Sequence, residues 1–156
     1  MSAIEARLAE LGYELPEVAA PVAAYVPAIR TGNYVYTSGQ LPFVSGALPA
    51  TGKVGDGAGL VSAEAAQEHA KLCALNGLAA AKSIIGDLDN IVRVVKVVGF
   101  VASDPAFTGQ PGVINGTSVF LGEVFGDAGV HARSAVGVSV LPLDSPVEVE
   151  FVFEVR

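Results

Sequence analysis

The stretch "VEVEFVFEV", Val147 to Val155, alternates without a break. Val147, Val149, Phe151, Phe153 and Val155 fall on one side, and Glu148, Glu150, Val152 and Glu154 on the other. A period of two is the pattern of a strand whose two faces meet different surroundings. A helix would scatter the same residues around its circumference. A chain built around this strand must supply an apolar layer to cover the valine and phenylalanine side, while the other side carries carboxylates.

A second strand is predicted just before it, in "HARSAVGVSVLP", His131 to Pro142. Ala132, Ser134, Val136, Val138 and Val140 share one side, and Arg133, Ala135, Gly137 and Ser139 the other. The valines predict that their side meets the core. Arg133 is then expected to point away from it and to join the acids of the last strand on a charged face opposite the helices. A guanidinium stripped of water costs several kcal/mol unless an anion or acceptors replace that water. Arg133 therefore either faces solvent or receives something anionic.

The covering layer is legible upstream. Ser62 opens a helix running to about Ile85 and closed by Gly86. Its small residues Ala66, Ala70, Cys73, Gly77 and Ala80 make one smooth face able to lie close on a sheet. "NIVRVVKVVGFVAS" follows as a long β-branched strand, and Val113, Thr117, Leu121 and Val124 mark a second helix, against which Gly112 and Gly116 weigh. Ser2 with Glu5 forms a capping-box pattern before Ile4, Leu8 and Leu11, predicting a short helix stopped by Gly12. Tyr25 to Gln40 reads as extended with a turn at Gly32 and Asn33, and the glycine-rich Val44 to Leu60 reads as loop. The order, two strands, helix, strand, helix, two strands, predicts a single α+β domain over residues 1–156, with both major helices on one face of the sheet and residues 1–12 as an additional helix.

Composition adds a second expectation. The chain is 51% hydrophobic and only 16% charged, too few charges to cover its surface, so part of that surface is expected to be buried by another subunit. The apolar surroundings of Val152 and Ala135 on the open sheet face predict the same. A formal charge of −7 with no cluster of Lys or Arg disfavours phosphate backbones. One cysteine, no signal-like apolar stretch and no run long enough for a membrane span point to a reducing, cytoplasmic setting.

Several motifs are excluded by spacing. In "GALPATGK" five residues separate Gly46 from Gly52 where a P-loop needs four, and Val54 follows Lys53 where Ser or Thr is needed. "GDGAG" lacks the third glycine of a dinucleotide turn. His69 and His131 lie in different elements without further ligands at metal spacing, and His69 reads as a surface helix position. Cys73 reads as a buried, inert thiol, and Ser38 has no nucleophile elbow around it. What remains is Tyr25, Ser38, Asn115, Arg133 and Glu150, at strand ends or near loops. Together they combine an arginine fork suited to a carboxylate with a glutamate able to hold a water.

"AYVPAIRTGNYVYTSGQLP", "HARSAVGVSVLP" and "VEVEFVFEV" resemble three signature blocks of the RidA family, also called YjgF or endoribonuclease L-PSP. The match runs in order from about Pro21 onward. The resemblance implies a chorismate-mutase-like α+β fold, a mixed sheet with two main helices, assembled as a homotrimer with clefts between subunits. It also implies hydrolysis of reactive enamines and imines to 2-keto acids and ammonia, without metal or organic cofactor. In that pattern Arg133 matches the arginine that grips the substrate carboxylate and Glu150 the acid that orients water. Tyr25, Ser38 and Asn115 match residues that bind substrate. The chain departs from RidA at Ala135, where RidA has cysteine, at His131, where it has proline, and at Ala23 and Ala24, which replace Gly-Pro. These changes and the N-terminal helix mark a subgroup whose substrate need not be 2-aminoacrylate. Two other functions are compatible with the pattern: a non-catalytic module binding small carboxylates such as 2-keto acids, and the endoribonuclease of the older label, which the acidic balance disfavours.

Overall fold

The structure is a computed structural model and describes residues 2–18 and 24–156. Ala23 lies outside the described residues. Five strands form one mixed sheet in the order β1-β2-β5-β3-β4, with β1 Ala28–Thr31, β2 Tyr34–Thr37, β3 Ile91–Ala102, β4 Ala132–Val138 and β5 Val147–Val155. Three helices accompany it: α1 Ala3–Glu10, α2 Ala63–Ile85 and α3 Gln110–Phe125. β5 lies in the middle, antiparallel to β2 on one side and to β3 on the other, and only β3 and β4 run parallel.

The alternation in β5 translates directly into burial. Val147, Val149, Phe151, Phe153 and Val155 are all buried against the helix layer, and the residues between them are half-buried on the other face. The small-residue face of α2 lets it approach: a methyl group at Gly77 would come within 2.5 Å of the Phe151 ring. A methyl at Gly99 of β3 would come equally close to Ile114 of α3, so both major helices pack on the same face, as the element order predicts.

The predicted termini hold as well. Ser62 caps α2 by accepting from the Ala65 amide at 3.1 Å, and Gly86 ends it at φ +78°. Ser2 and Glu5 complete the capping box of α1. Asp89 additionally accepts the Ala3 and Ile4 amides at 2.8 and 2.9 Å, fastening this short helix to the turn before β3. The glycine-rich segment carries only isolated bridges, among them Val54 with Val61 and Ser103.

Two expectations are corrected. Arg133 does not point away from the helices. β4 pairs in parallel with β3 through Val97–Arg133, Gly99–Ala135 and Val101–Gly137, and Val97 and Val101 are fully buried. Arg133, Ala135 and Gly137 therefore face the helix layer, and Val136, 44% exposed, faces the other way. Small residues meet the helices here because α3 lies too close for larger ones, which leaves the valines for a second apolar face. His69 is not a surface residue either: it is 8% exposed. Its burial lowers its pKa below the ordinary histidine value.

Candidate functional site

Arg133 is the second residue of β4, at the sheet edge, and reaches up to α3. Its Nη1 donates to Asn115 Oδ1 at 2.8 Å and to Ser118 Oγ at 3.1 Å. Asn115 and Ser118 stand three residues apart and so share one face of the helix. Both hydrogens of Nη1 are spent on these bonds. Among the described residues Nε and Nη2 have no hydrogen-bond partner, and no carboxylate lies in ion-pair contact with the guanidinium. What stays open is the side-on fork of Nε–H and Nη2–H, the edge that fits a carboxylate with two parallel bonds.

His131 completes this corner. Its Nε2 lies 2.9 Å from Ser118 Oγ and its Nδ1 lies 2.6 Å from the Gly129 carbonyl oxygen. The short turn after α3 brings the chain back so tightly that a methyl at Gly129 would meet the Leu121 backbone, 2.8 Å from its carbonyl carbon. Ser118, His131 and Arg133 together line a shallow hollow of about 280 Å³ with Gly122, Gly129 and Val130. The alternation in β4 says nothing of Ser118; the signal that could have found it is its position three residues after Asn115.

Tyr25 and Ser38 lie at the opposite end of the sheet, beside β1 and β2. They line a cleft of about 710 Å³ with Gln40, Phe43, Asn76 and the segment Pro16–Val18 among others. Ser38 Oγ donates to the Val26 carbonyl at 2.6 Å and its amide to Pro27 at 2.8 Å, tying the chain after β2 to the chain before β1. Asn76 on α2 donates to the carbonyls of Leu41 and Phe43 and so pins the cleft wall. Tyr25 is 55% exposed and free to meet a ligand.

Glu150 lies between these corners, on the open face of β5 opposite Val98. It lines neither hollow. Its neighbour Glu148 borders the larger of the two. A methyl at Gly39 would come 2.7 Å from the Glu148 carboxyl carbon, so that carboxyl lies against the wall of the larger cleft. Burial first, and then the nearby Glu150 charge, raise the Glu148 pKa above the usual carboxylate value. Sequence alternation puts both acids on one face and cannot rank them; the pairing of Gln40 with Val149 does, by laying Gly39 alongside.

The structure thus brings Arg133 to Asn115 and Tyr25 to Ser38, but it does not bring the two pairs together. β2 and β4 are separated by β5 and β3, three strand spacings or about 14 Å. Arg133 also faces the helices while Glu148 and Glu150 face away from them. Beneath the sheet, Cys73 is fully buried and desolvation raises its pKa far above the ordinary thiol value, which makes it inert. Among the described residues no three His, Cys, Asp or Glu side chains gather into a metal-binding group, and no helix is long and apolar enough to cross a membrane.

A mixed sheet with both major helices on one face is the α+β arrangement of a chorismate-mutase-like chain. The family model described as "YjgF/chorismate_mutase-like, putative endoribonuclease" matches residues 5–155, and the chain belongs to that family. Protein TCP17 of Trypanosoma cruzi is 41% identical over 98% of this chain and 94% of its own. Protein Atu1372 of Agrobacterium tumefaciens, of unknown function, is similar in structure with a TM-score of 0.89 at 45% identity, over 98% of this chain and 92% of its own. A structure from Shewanella oneidensis MR-1 described as a putative endoribonuclease gives 0.92 at 32% identity, over 99% and 100%.

Proposed function

We propose that the protein is an enamine/imine deaminase, hydrolysing 2-imino or 2-enamino acids to 2-keto acids and ammonia. The observation that carries this reading is the Arg133 guanidinium, with Nη1 spent on Asn115 and Ser118 and its outer fork open. A fork fixed in this way is prepared for a planar carboxylate next to the reacting carbon. Because the two corners lie at opposite edges of the sheet, one working site draws Arg133 and Asn115 from one copy and Tyr25, Ser38 and the β5 acids from another. Three copies related head to tail satisfy every corner, and the apolar open face, with Ile29, Tyr36 and Val136 exposed, is the surface such copies cover.

In this reading the substrate carboxylate seats on Nε and Nη2 of Arg133. A water held by Glu148, with Glu150 beside it, adds its oxygen to the imine carbon, and its proton passes by way of the carboxylate to nitrogen. In the resulting carbinolamine the hydroxyl proton passes to nitrogen, and the carbon–nitrogen bond breaks as the keto group forms, so that ammonia leaves. An enamine first takes a proton on carbon and gives one up from nitrogen to become the imine. A carboxylate whose pKa is raised by burial exchanges a proton more readily near neutral pH than an exposed one. No basic stripe accompanies the −7 charge, so the endoribonuclease in the family description gains no electrostatic support from this chain.

The test is ammonia release from an imine generated in place by an amino-acid oxidase. Two charge-assisted hydrogen bonds contribute about 1.5–3 kcal/mol each. Arg133→Ala should therefore cost roughly 10²–10⁴ in kcat/KM. Arg133→Lys should fail nearly as badly, since an ammonium cannot reproduce the fork. Undiminished turnover in Arg133→Ala overturns the mechanism. Binding of 2-ketobutyrate by the wild-type protein without any acceleration of imine hydrolysis would identify a carboxylate-binding module instead.

A further inference from the structure

With the His131 ring neutral, the contacts behind Arg133 have one consistent assignment of hydrogens. A guanidinium donates and never accepts, so Ser118 Oγ accepts from Arg133 Nη1 across 3.1 Å. A carbonyl accepts and never donates, so the 2.6 Å contact between His131 Nδ1 and Gly129 requires the proton on Nδ1. In the neutral ring Nε2 is then bare and accepts the Ser118 hydroxyl proton at 2.9 Å. Every donor meets an acceptor, from Arg133 through Ser118 and His131 to the Gly129 backbone.

We propose that Ser118 and His131 are positioning residues for Arg133, forming a hydrogen-bond relay that holds the guanidinium with its Nε and Nη2 edge turned outward. The relay rests on the reading of Arg133 as the carboxylate anchor. Its far end is fixed by backbone: Gly129 is buried, and its close approach to Leu121 permits no side chain. Asn115 alone supplies one acceptor and leaves the guanidinium free to swing about that bond. A second acceptor on the same nitrogen removes the swing, and the histidine fixes the direction in which the serine hydroxyl points. The only residue able to fill this role from position 131 is one with an acceptor at the reach of Nε2, which gives a reason for a histidine immediately before the strand.

The experiment has one arm independent of activity. In the full-length wild-type protein, nitrogen-15 NMR of the His131 ring in its neutral form should show the Nδ1–H tautomer with Nε2 unprotonated; the Nε2–H tautomer would overturn the relay, because a bare Nδ1 would then face the Gly129 carbonyl oxygen and the ring would offer the Ser118 hydroxyl no acceptor. In the second arm Ser118→Ala and His131→Leu should raise KM for carboxylate-bearing imines by about three- to tenfold, the worth of one net hydrogen bond, with kcat nearly unchanged. His131→Gln, which keeps an acceptor near the Nε2 position, should recover most of the loss. A KM unchanged in Ser118→Ala, while Arg133→Ala is inactive, overturns the relay and leaves the function standing. A fully active Arg133→Ala overturns the function, and the tautomer still decides the relay. Thermal melts of each variant separate loss of positioning from loss of fold: a rise in KM seen only in variants that melt early counts against the proposal.

Discussion

Gly116→Ala should destabilise the protein, although alanine is the better helix former. Gly116 lies in α3 where the helix crosses α2, and an added methyl group would sit 2.8 Å from the Gln67 carbonyl carbon, 3.0 Å from its Cα and closer still to its oxygen. These are backbone atoms and no rotamer change relieves them, so the helices must move apart. Overpacking of this kind costs about 1–3 kcal/mol. The next residue adds to the cost: Thr117 Oγ1 donates to the Ala70 carbonyl across the same crossing at 2.6 Å, wholly buried, and stretching that bond costs up to ~1–3 kcal/mol more. Against this, replacing glycine by alanine in a helix returns about 1 kcal/mol. The net loss is about 1–5 kcal/mol, or a Tm lower by roughly 2–20 °C for a chain of this length. Gly112→Ala on the same helix is the control, because nothing lies within 4 Å of its added methyl; it should gain up to about 1 kcal/mol. The assay is urea unfolding followed by circular dichroism, with thermal melts alongside. Gly116→Ala as stable as Gly112→Ala would refute the close crossing.

Two pH effects follow with opposite signs. Glu148 is raised by burial and by Glu150, so its contribution is fully present below the unfolded carboxylate pKa and is lost as pH rises through the folded value; Glu148→Gln should gain Tm relative to wild type as pH rises from the carboxylate range to neutral, and parallel Tm–pH curves would refute a buried Glu148. His69 is lowered by burial, with Nδ1 unpartnered among the described residues, so its contribution is full above the unfolded histidine pKa of ~6.5 and is lost as pH falls through the folded value. Wild type should therefore lose Tm below that pH relative to His69→Leu, and equal acid sensitivity of the two proteins would count against the burial.

Local signals carried most of the fold. Ser62 and Gly86 bound α2, and Val113, Thr117, Leu121 and Val124 all lie on the buried side of α3, because caps and helical period depend only on nearby residues. Strand alternation grouped the residues of β4 correctly and still assigned the wrong group to the core. That assignment depends on how close α3 lies, which is set by Gly99 and Gly116 in other elements. Hydrophobicity identifies a core face only when the opposite face is polar, and here both faces are apolar. Of the candidate site, Arg133 with Asn115 and Tyr25 with Ser38 could be named from the sequence. Glu148 could not, and Ser118 only by its spacing from Asn115, because each gains its place from a contact distant along the chain: Ser118 from His131 beyond a tight turn, Glu148 from Gly39 across the β2–β5 edge.

The two corners are also held by different parts of the molecule, and that separates their failure modes. Asn115 and Ser118 move with α3, whose seat on α2 is the Gly116 crossing and the Thr117 bond. Glu148 belongs to β5, the central strand, paired on both sides, while Ser38 and Gln40 are fastened by Val26, Pro27 and the bridge to Val149. A tilt of α3 therefore disturbs the arginine fork and leaves the acids where they are. On the proposed reading, substitutions under α3 act on carboxylate affinity and those around Glu148 act on the water. This division explains how residues beside Arg133, such as His131 and Ala135, can differ from the RidA pattern without disturbing the chemistry at the other edge. If the protein is the deaminase proposed above, substrate choice would be tuned on α3 and the start of β4, and the hydrolytic step would stay with β5.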